Sequence, residues 1–349
     1  MQKKSLGKLG VAVLASASLV FAVAAPAAHA ASKKVIVGIA YDLGGRSQPG
    51  FNQLAYIGYT DYLKKYPGAG IKESQASASD TDATRTARLK LMVQAGANPI
   101  VAVGFNYATA VKTVAPLNPK VKFAIVDDAS ITLPNVEGLN FKAEQGSYLV
   151  GAIAGLMSKT AHVGYIGGVK IPLLQAFEAG FTAGVHKVAP KTIVDVAYVT
   201  LPPDFGGFNA PDKGHESALG MYQNGADIVY AAAGGTGAGV HQAALEKNAW
   251  SIGVDADEAL YPTNIANRSA TAILTSALKN VNAGVASFLT DVKTGKFKSQ
   301  NKFFDLTNGG VGFSTTGGHI PASVQKTVNA LGKQIAAGKI IVPTDPTKA

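Results

Sequence analysis

Carboxylates close the apolar runs of this chain. Asp42 follows the run at 35–40, Asp127 and Asp128 end "FAIVDD", and Asp255 and Asp257 stand in "SIGVDADE". Glycine pairs share these positions: Gly44 and Gly45 behind Asp42, Gly167 and Gly168 in "VGYIGG", and Gly234 and Gly235 in "IVYAAAGGTGAG". Phe51 and Asn52 open the stretch that follows the first pair. Acids beside open backbone serve two kinds of chemistry. They act as general acid and base or as metal ligands in hydrolysis, or they accept hydrogen bonds from the hydroxyl and N–H groups of a small polar ligand. Taken singly, Asp42, Asp127 or Asn52 would equally well cap a helix, and Phe51 would staple onto its own helix. Acids and an aromatic residue gathered on one edge favour a binding site.

Catalysis finds little support elsewhere. The five histidines beyond residue 30, His162, His186, His215, His241 and His319, are isolated and never in an H-E-x-x-H spacing. No G-x-S-x-G elbow and no G-x-x-x-x-G-K-[ST] loop occurs. The glycines of 234–239 match a G-x-G-x-G pattern, which alone is too frequent to mean a dinucleotide site. Of the enzymatic alternatives, a secreted nucleoside hydrolase rests on the paired acids alone, and a dehydrogenase on no more than that glycine pattern. No metal or cofactor is expected.

The elements that must position these acids follow from periodicity. Short β-branched runs at 35–40, 100–103, 123–126, 163–166, 193–199, 228–232, 251–254 and 272–274 alternate with helical patterns at 51–65, 83–94, 145–157, 174–188, 213–224, 239–247 and 278–292. The strands are apolar on both faces, as parallel sheets covered by helices require. The pattern predicts a doubly wound α/β chain, repeated twice, with a closing helix at 322–337. Gly96 in "QAGANPIVAVG" and Gly225 in "QNGADIVYAAAGG" each follow a helix and precede a strand, so the two segments read as corresponding pieces of two similar lobes. In such sheets ligands bind beyond the carboxyl ends of the strands, where the acids stand.

Bulk properties fit an exported binder. Lys3, Lys4 and Lys8 precede the apolar run at 11–25, and Ala28-His29-Ala30 is a small-x-small cleavage site, so residues 1–30 read as a secretory signal peptide. The alternative, a retained membrane anchor, conflicts with the shortness of the run and with Pro26. Cleavage near Ala30 lowers the net charge from +10 to +7, with 29 basic against 22 acidic residues. That excess is scattered and not interleaved with aromatics, so nucleic acid is no expected partner. The absence of cysteine excludes disulfides, thiolate metal sites and a lipid-anchoring thiol. The expected product is soluble, periplasmic or extracellular, and monomeric. Its length of about 320 residues exceeds a single core and implies two lobes.

Seven stretches in order, "YDLGGRSQPGFNQLAYIG", "FAIVDD", "AEQGSYLVGAIAGLMSKTAHVGYIGG", "QAFEAGFTAGV", "GADIVYAAAGGTGAGV", "SIGVDADE" and "LTSALKNV", resemble the BMP family of extracytoplasmic substrate-binding proteins, the purine nucleoside receptor type of ABC transporter component. The resemblance runs from about 35 to 288. It implies the type I periplasmic-binding-protein fold, two doubly wound parallel-sheet lobes joined by three crossovers. The lobes are expected at 31–139 plus about 256–300, and at about 140–255 plus 301–349. It also implies an ABC permease as partner and a small ligand, a purine nucleoside or, alternatively, a sugar or another heterocycle for transport or signalling.

Carried over residue by residue, the resemblance implies Phe51 as one aromatic wall, with Asn52 bonding the base edge beside it. Phe208 matches the second aromatic, with Phe205 as competitor. Asp127 reads a polar edge of the base, Asp255 and Lys279 hold the ribose hydroxyls, Gly234 lets backbone approach the sugar, and Asp42 lies nearer the rim. The chain departs from the family pattern at Gln48 and Gly50, where an acid and a serine are usual, and at Ala210, where an aspartate is usual.

Overall fold

The structure, a computed structural model, describes residues 35–349; the signal peptide read at 1–30 lies outside the described residues. The chain order is β1 (Ile36–Tyr41), α1 (Phe51–Lys65), β2 (Gly70–Gln75), α2 (Asp82–Gln94), β3 (Ile100–Ala102), α3 (Ala108–Val114), β4 (Phe123–Val126) and β5 (Val136–Phe141). Next come α4 (Ala143–Met157), β6 (His162–Val169), α5 (Pro172–Val188), β7 (Ile193–Thr200), α6 (Pro211–Gln223), β8 (Ile228–Ala232), α7 (Gly237–Glu246), β9 (Trp250–Asp255), α8 (Pro262–Ala266) and β10 (Ile273–Lys279). The chain ends with α9 (Val281–Lys293), β11 (Asn301–Phe304), β12 (Val311–Phe313) and α10 (Ala322–Ala336).

The strands build two six-stranded sheets with matching orders, β11-β5-β4-β3-β1-β2 and β12-β10-β9-β8-β6-β7. Every pairing is parallel except β10 with β12. β3 and β8 occupy the same place in the two orders, so the two glycine-marked segments do correspond. In the first sheet, Val37, Ile39, Val101 and Val126 face α1 and α9, packing with Ala55, Tyr59, Val285 and Phe288. Ala40, Ile100, Ala102 and Ile125 face α2 and α3, packing with Leu89, Met92 and Val111. Successive strand residues point to opposite faces, so strands buried on both sides carry apolar residues at every position. The second sheet repeats this, with Tyr165, Tyr230 and Ile252 under α4, α5 and α10, and Ile166, Val229 and Ala231 under α6 and α7.

The expected lobe boundaries are corrected. β10 pairs with β9, Ser276 opposite Gly253, so residues 256–279 belong to the second lobe. The chain returns to the first lobe after Lys279, where α9 begins at Val281 and packs on α1, and not after Asp255. β11 then pairs with β5 in the first sheet before β12 joins the second, which moves the last crossing past Phe304. The chain crosses three times: after β5, after β10 and between β11 and β12. A further correction concerns Leu278 and Lys279, expected in a helix, which end a strand instead.

Candidate functional site

Between the two sheets lies one cavity whose lining includes Asp42, Phe51, Asn52, Asp127, Phe208, Gly234, Asp255 and Lys279, all eight residues expected from the sequence. The turn after β1 supplies Asp42, the start of α1 supplies Phe51 and Asn52, and the end of β4 supplies Asp127. From the second lobe come Phe208 ahead of α6, Gly234 after β8, Asp255 at the end of β9 and Lys279 at the end of β10.

Asn52 is placed differently from its expected role at a ligand edge. Its Oδ1 accepts from the Asp42 N–H at 3.0 Å and its Nδ2 donates to Leu43 O at 2.9 Å. The amide clips the turn that presents Asp42, leaving little capacity for a ligand. Asp42 Oδ2 accepts from Asn106 Nδ2 at 3.4 Å, while Oδ1 is buried without a partner. Burial raises the Asp42 carboxyl above the ordinary aspartate range, against the Leu43 N–H, Arg85 and Asn106, which lower it. Gly104, after β3, has φ +102, and a Cβ there would stand 2.8 Å from Asp42 Oδ2. Its counterpart after β8 is Gly234, φ +56, where a Cβ would meet Phe208 O at 3.1 Å. Both strand ends must be glycine for backbone to border the cavity.

Asp127 and Asp255 hold equivalent positions at the ends of β4 and β9, both with positive φ, 63° and 66°. Aspartate tolerates this left-handed region better than most residues, and the conformation is uncommon enough to mark both as special. The sequence expectation joined Asp255 to Lys279. The structure instead pairs Lys279 Nζ with Asp127 Oδ2 at 2.5 Å, an ion pair with both side chains buried. Since Asp127 belongs to the first lobe and Lys279 to the second, the pair bridges them. The ammonium also faces the rings of Phe51, Phe141 and Phe177 at 4.8, 5.6 and 5.7 Å from their centroids, within cation–π range. Asp255 keeps a carboxyl without a direct ion-pair partner. Burial pushes it up to about 6, with Lys279 pulling down and Asp127 and Glu258 pushing up.

The two candidate aromatics separate. Phe208 lines the cavity, its ring lying over Gly168, where a Cβ would come within 2.6 Å of it. Phe205 instead packs on Phe105 across the lobes, centroids 5.8 Å apart. Sequence reasoning missed Gln48, Phe105 and Phe177, which also line the cavity. Phe105 had a signal, since it follows β3 and strand ends were the criterion. Phe177 had none: on a helix, a residue facing a cavity has the same periodicity as one facing a core. With its amide oriented as the hydrogen-bond network selects, Gln48 donates to Leu43 O at 2.7 Å and accepts from the Gly235 N–H at 2.9 Å, a second bridge between lobes.

Two α/β lobes with equivalent sheets and a cavity at their facing strand ends are an architecture shared by solute-binding proteins, and the comparisons with known proteins give the class. The chain belongs to the Bmp family, described as "ABC transporter substrate-binding protein PnrA-like", which matches residues 35–346. It is 36% identical over 330 residues, 90% of each chain, to the "CD4+ T-cell-stimulating antigen" of Listeria monocytogenes. It is 30% identical over 322 residues, 88% of each chain, to the "ABC transporter nucleoside-binding protein BmpA" of Lactococcus lactis. Among solved structures, an ABC transporter solute-binding protein of Aeropyrum pernix K1 is similar with a TM-score of 0.75 and 25% identity, over 89% of this chain and 94% of that one. The family is extracytoplasmic, so the partners are a small ligand and a membrane ABC permease. No described helix is long and apolar enough to cross a membrane.

Proposed function

We propose that the cavity takes a purine nucleoside, and that the ligand draws the two lobes shut for presentation to the permease. The observation that carries this reading is the joint lining: Phe51 and Phe208, aromatic rings from opposite lobes, border the same cavity as the buried acid Asp255. A purine offers two π-faces to such rings, and its ribose offers hydroxyl donors to a carboxylate. Lys279 is fixed by Asp127 beside that carboxylate and acts with it at the sugar. A ligand touching both lobes favours the closed state because only there are both sets of contacts made. The Lactococcus relative's name supports the ligand class. We further read the exported chain as a soluble monomer without a lipid anchor.

Isothermal titration and thermal denaturation with inosine, guanosine, adenosine, ribose and glucose test this. Nucleosides raise the melting temperature by mass action and free ribose does not. Phe208→Ala weakens nucleoside binding by about 1–3 kcal/mol, roughly 5- to 150-fold, whereas Phe205→Ala changes it less than about threefold. A protein stabilised by sugars and indifferent to nucleosides would overturn the reading.

A further inference from the structure

A second cavity shares Asp42, Leu43 and Phe208 with the first and is otherwise walled by residues that include Arg85, Asn106 and Phe205. Three buried polar atoms of its wall make no hydrogen bond, Asp42 Oδ1, Asp80 Oδ2 and Arg85 Nε, and of these only Asp80 Oδ2 has an ion-pair partner, Arg88. Arg85 is only 9% exposed. Its Nη1 donates to Asp80 O at 3.2 Å, which holds the guanidinium in place with the Nε–H unused. The neighbouring acids are occupied: Asp80 is paired with Arg88 Nη1 at 2.5 Å, and Asp204 Oδ1 accepts from the Gly206 N–H at 2.8 Å. The buried polar atoms left with neither a hydrogen bond nor an ion pair are one carboxyl oxygen, Asp42 Oδ1, and one guanidinium N–H, Arg85 Nε, an acceptor and a donor. A guanidinium never accepts, and buried polar atoms left unmet in this way mark a place where a partner is missing.

We propose that Asp42 and Arg85 read the lactam edge of a 6-oxopurine nucleoside, Asp42 taking the ring N–H and Arg85 donating to the exocyclic oxygen. This rests on the purine nucleoside reading above. The order of the two contacts follows from the lining. Asp42 borders both cavities and meets a ring atom of a base stacked beside Phe208, while Arg85 borders only the second and meets a group that projects from the ring. A 6-aminopurine presents the reverse pattern, a ring acceptor toward the carboxyl oxygen and an amino donor toward the guanidinium. Each would face its own kind, so the site discriminates by repulsion as well as by attraction.

Titration calorimetry with inosine, adenosine and purine riboside, which lacks a 6-substituent, decides the matter. The wild-type protein binds inosine about tenfold or more tighter than either of the others, the effect of about 1–3 kcal/mol expected when a buried donor or acceptor is left unmet. Arg85→Lys keeps the charge, loses the Nε–H and lowers the inosine-to-adenosine ratio about threefold or more, inosine binding more weakly and adenosine no more weakly, while Asp42 preserves the rest of the preference. Because the ratio is measured within one preparation, loss of folded protein does not imitate the effect, and the wild-type ratio needs no variant. Equal binding of inosine and adenosine by the wild type overturns this inference and leaves the nucleoside reading standing, as does a ratio that Arg85→Lys leaves unchanged. Binding of no nucleoside at all overturns both.

Discussion

Asp255 illustrates how a single buried group sets the conditions under which the site works. An aspartate titrates near 3.9 in an unfolded chain, and burial pushes this one up to about 6 in the folded protein. Between those values the folded state holds a proton that the unfolded state has lost. Asp255 therefore makes stability fall as pH rises from about 4 to about 6, with no further change above. Ligand binding has the opposite sign. Hydroxyl donors favour the ionised carboxylate, so binding releases the proton, and affinity rises with pH up to about 6 and then levels. The expected result in calorimetry is a nearly constant affinity between pH 7 and 8 and a fall approaching tenfold per unit below about pH 5.5. Asp255→Asn flattens this acid limb and weakens binding at pH 7.5 by about 1.5–3 kcal/mol, the worth of a hydrogen bond to a charged group. An unchanged acid limb in that variant would show that another group controls it.

Strand ends organise the site at the level of elements, and they also explain how much of it could be read in advance. Asp42, Asp127, Gly234 and Asp255 each follow or end an apolar run, so finding the runs found the residues. The strands that escaped notice lack that signature. β2, "GIKESQ", is an edge strand with exposed polar positions; β5, "VEGLNF", is buried throughout yet carries Glu137, Gly138 and Asn140; β11 and β12 are four and three residues long. α3 is a seven-residue helix, too short for periodicity to separate it from a turn. Periodicity extends the helix back over Lys279 because a short apolar run such as "AILTSALKN" fits either element, and only the neighbouring β9 decides. Its strand-end position has an energetic consequence. The ion pair with Asp127 joins β10 to β4 across the lobes with both charges buried, so removing one partner strands the other. Asp127→Asn or Lys279→Met alone is expected to destabilise the protein by about 3–5 kcal/mol. The double variant, which leaves neither charge unpaired, recovers a large part of that loss. Denaturant unfolding of the four proteins gives the coupling directly, and strictly additive losses would show that the pair is not coupled.

For the whole molecule, the contacts between lobes determine how readily it opens. Some of them belong to the protein alone: the Asp127–Lys279 pair, the Phe105–Phe205 contact and the Gln48 bridge to the Gly235 N–H. The ion pair lies beside the crossover from β10 to α9, whereas Gln48 sits in the turn between β1 and α1 and reaches the loop after β8. A side chain joining two loops contributes to closure without being needed for either lobe to fold. Gln48→Ala is therefore expected to leave the melting temperature of the unliganded protein nearly unchanged while shifting its lobes toward the open state, seen as a larger radius of gyration in small-angle scattering. Saturating nucleoside returns the variant to the compact dimensions of the wild type. Its apparent affinity falls by the fraction of molecules no longer closed, about two- to tenfold for one hydrogen bond of ordinary net strength. Gln48→Glu provides the sharper comparison. Its carboxylate can still accept from the Gly235 N–H but has nothing to donate to Leu43 O, 2.7 Å away in the wild type. It therefore keeps the bond between the lobes, now charge-assisted, and loses only the contact within its own turn, so the lobes open less than in the alanine variant. Unliganded scattering curves that coincide for all three proteins would mean that Gln48 has no part in holding the lobes together.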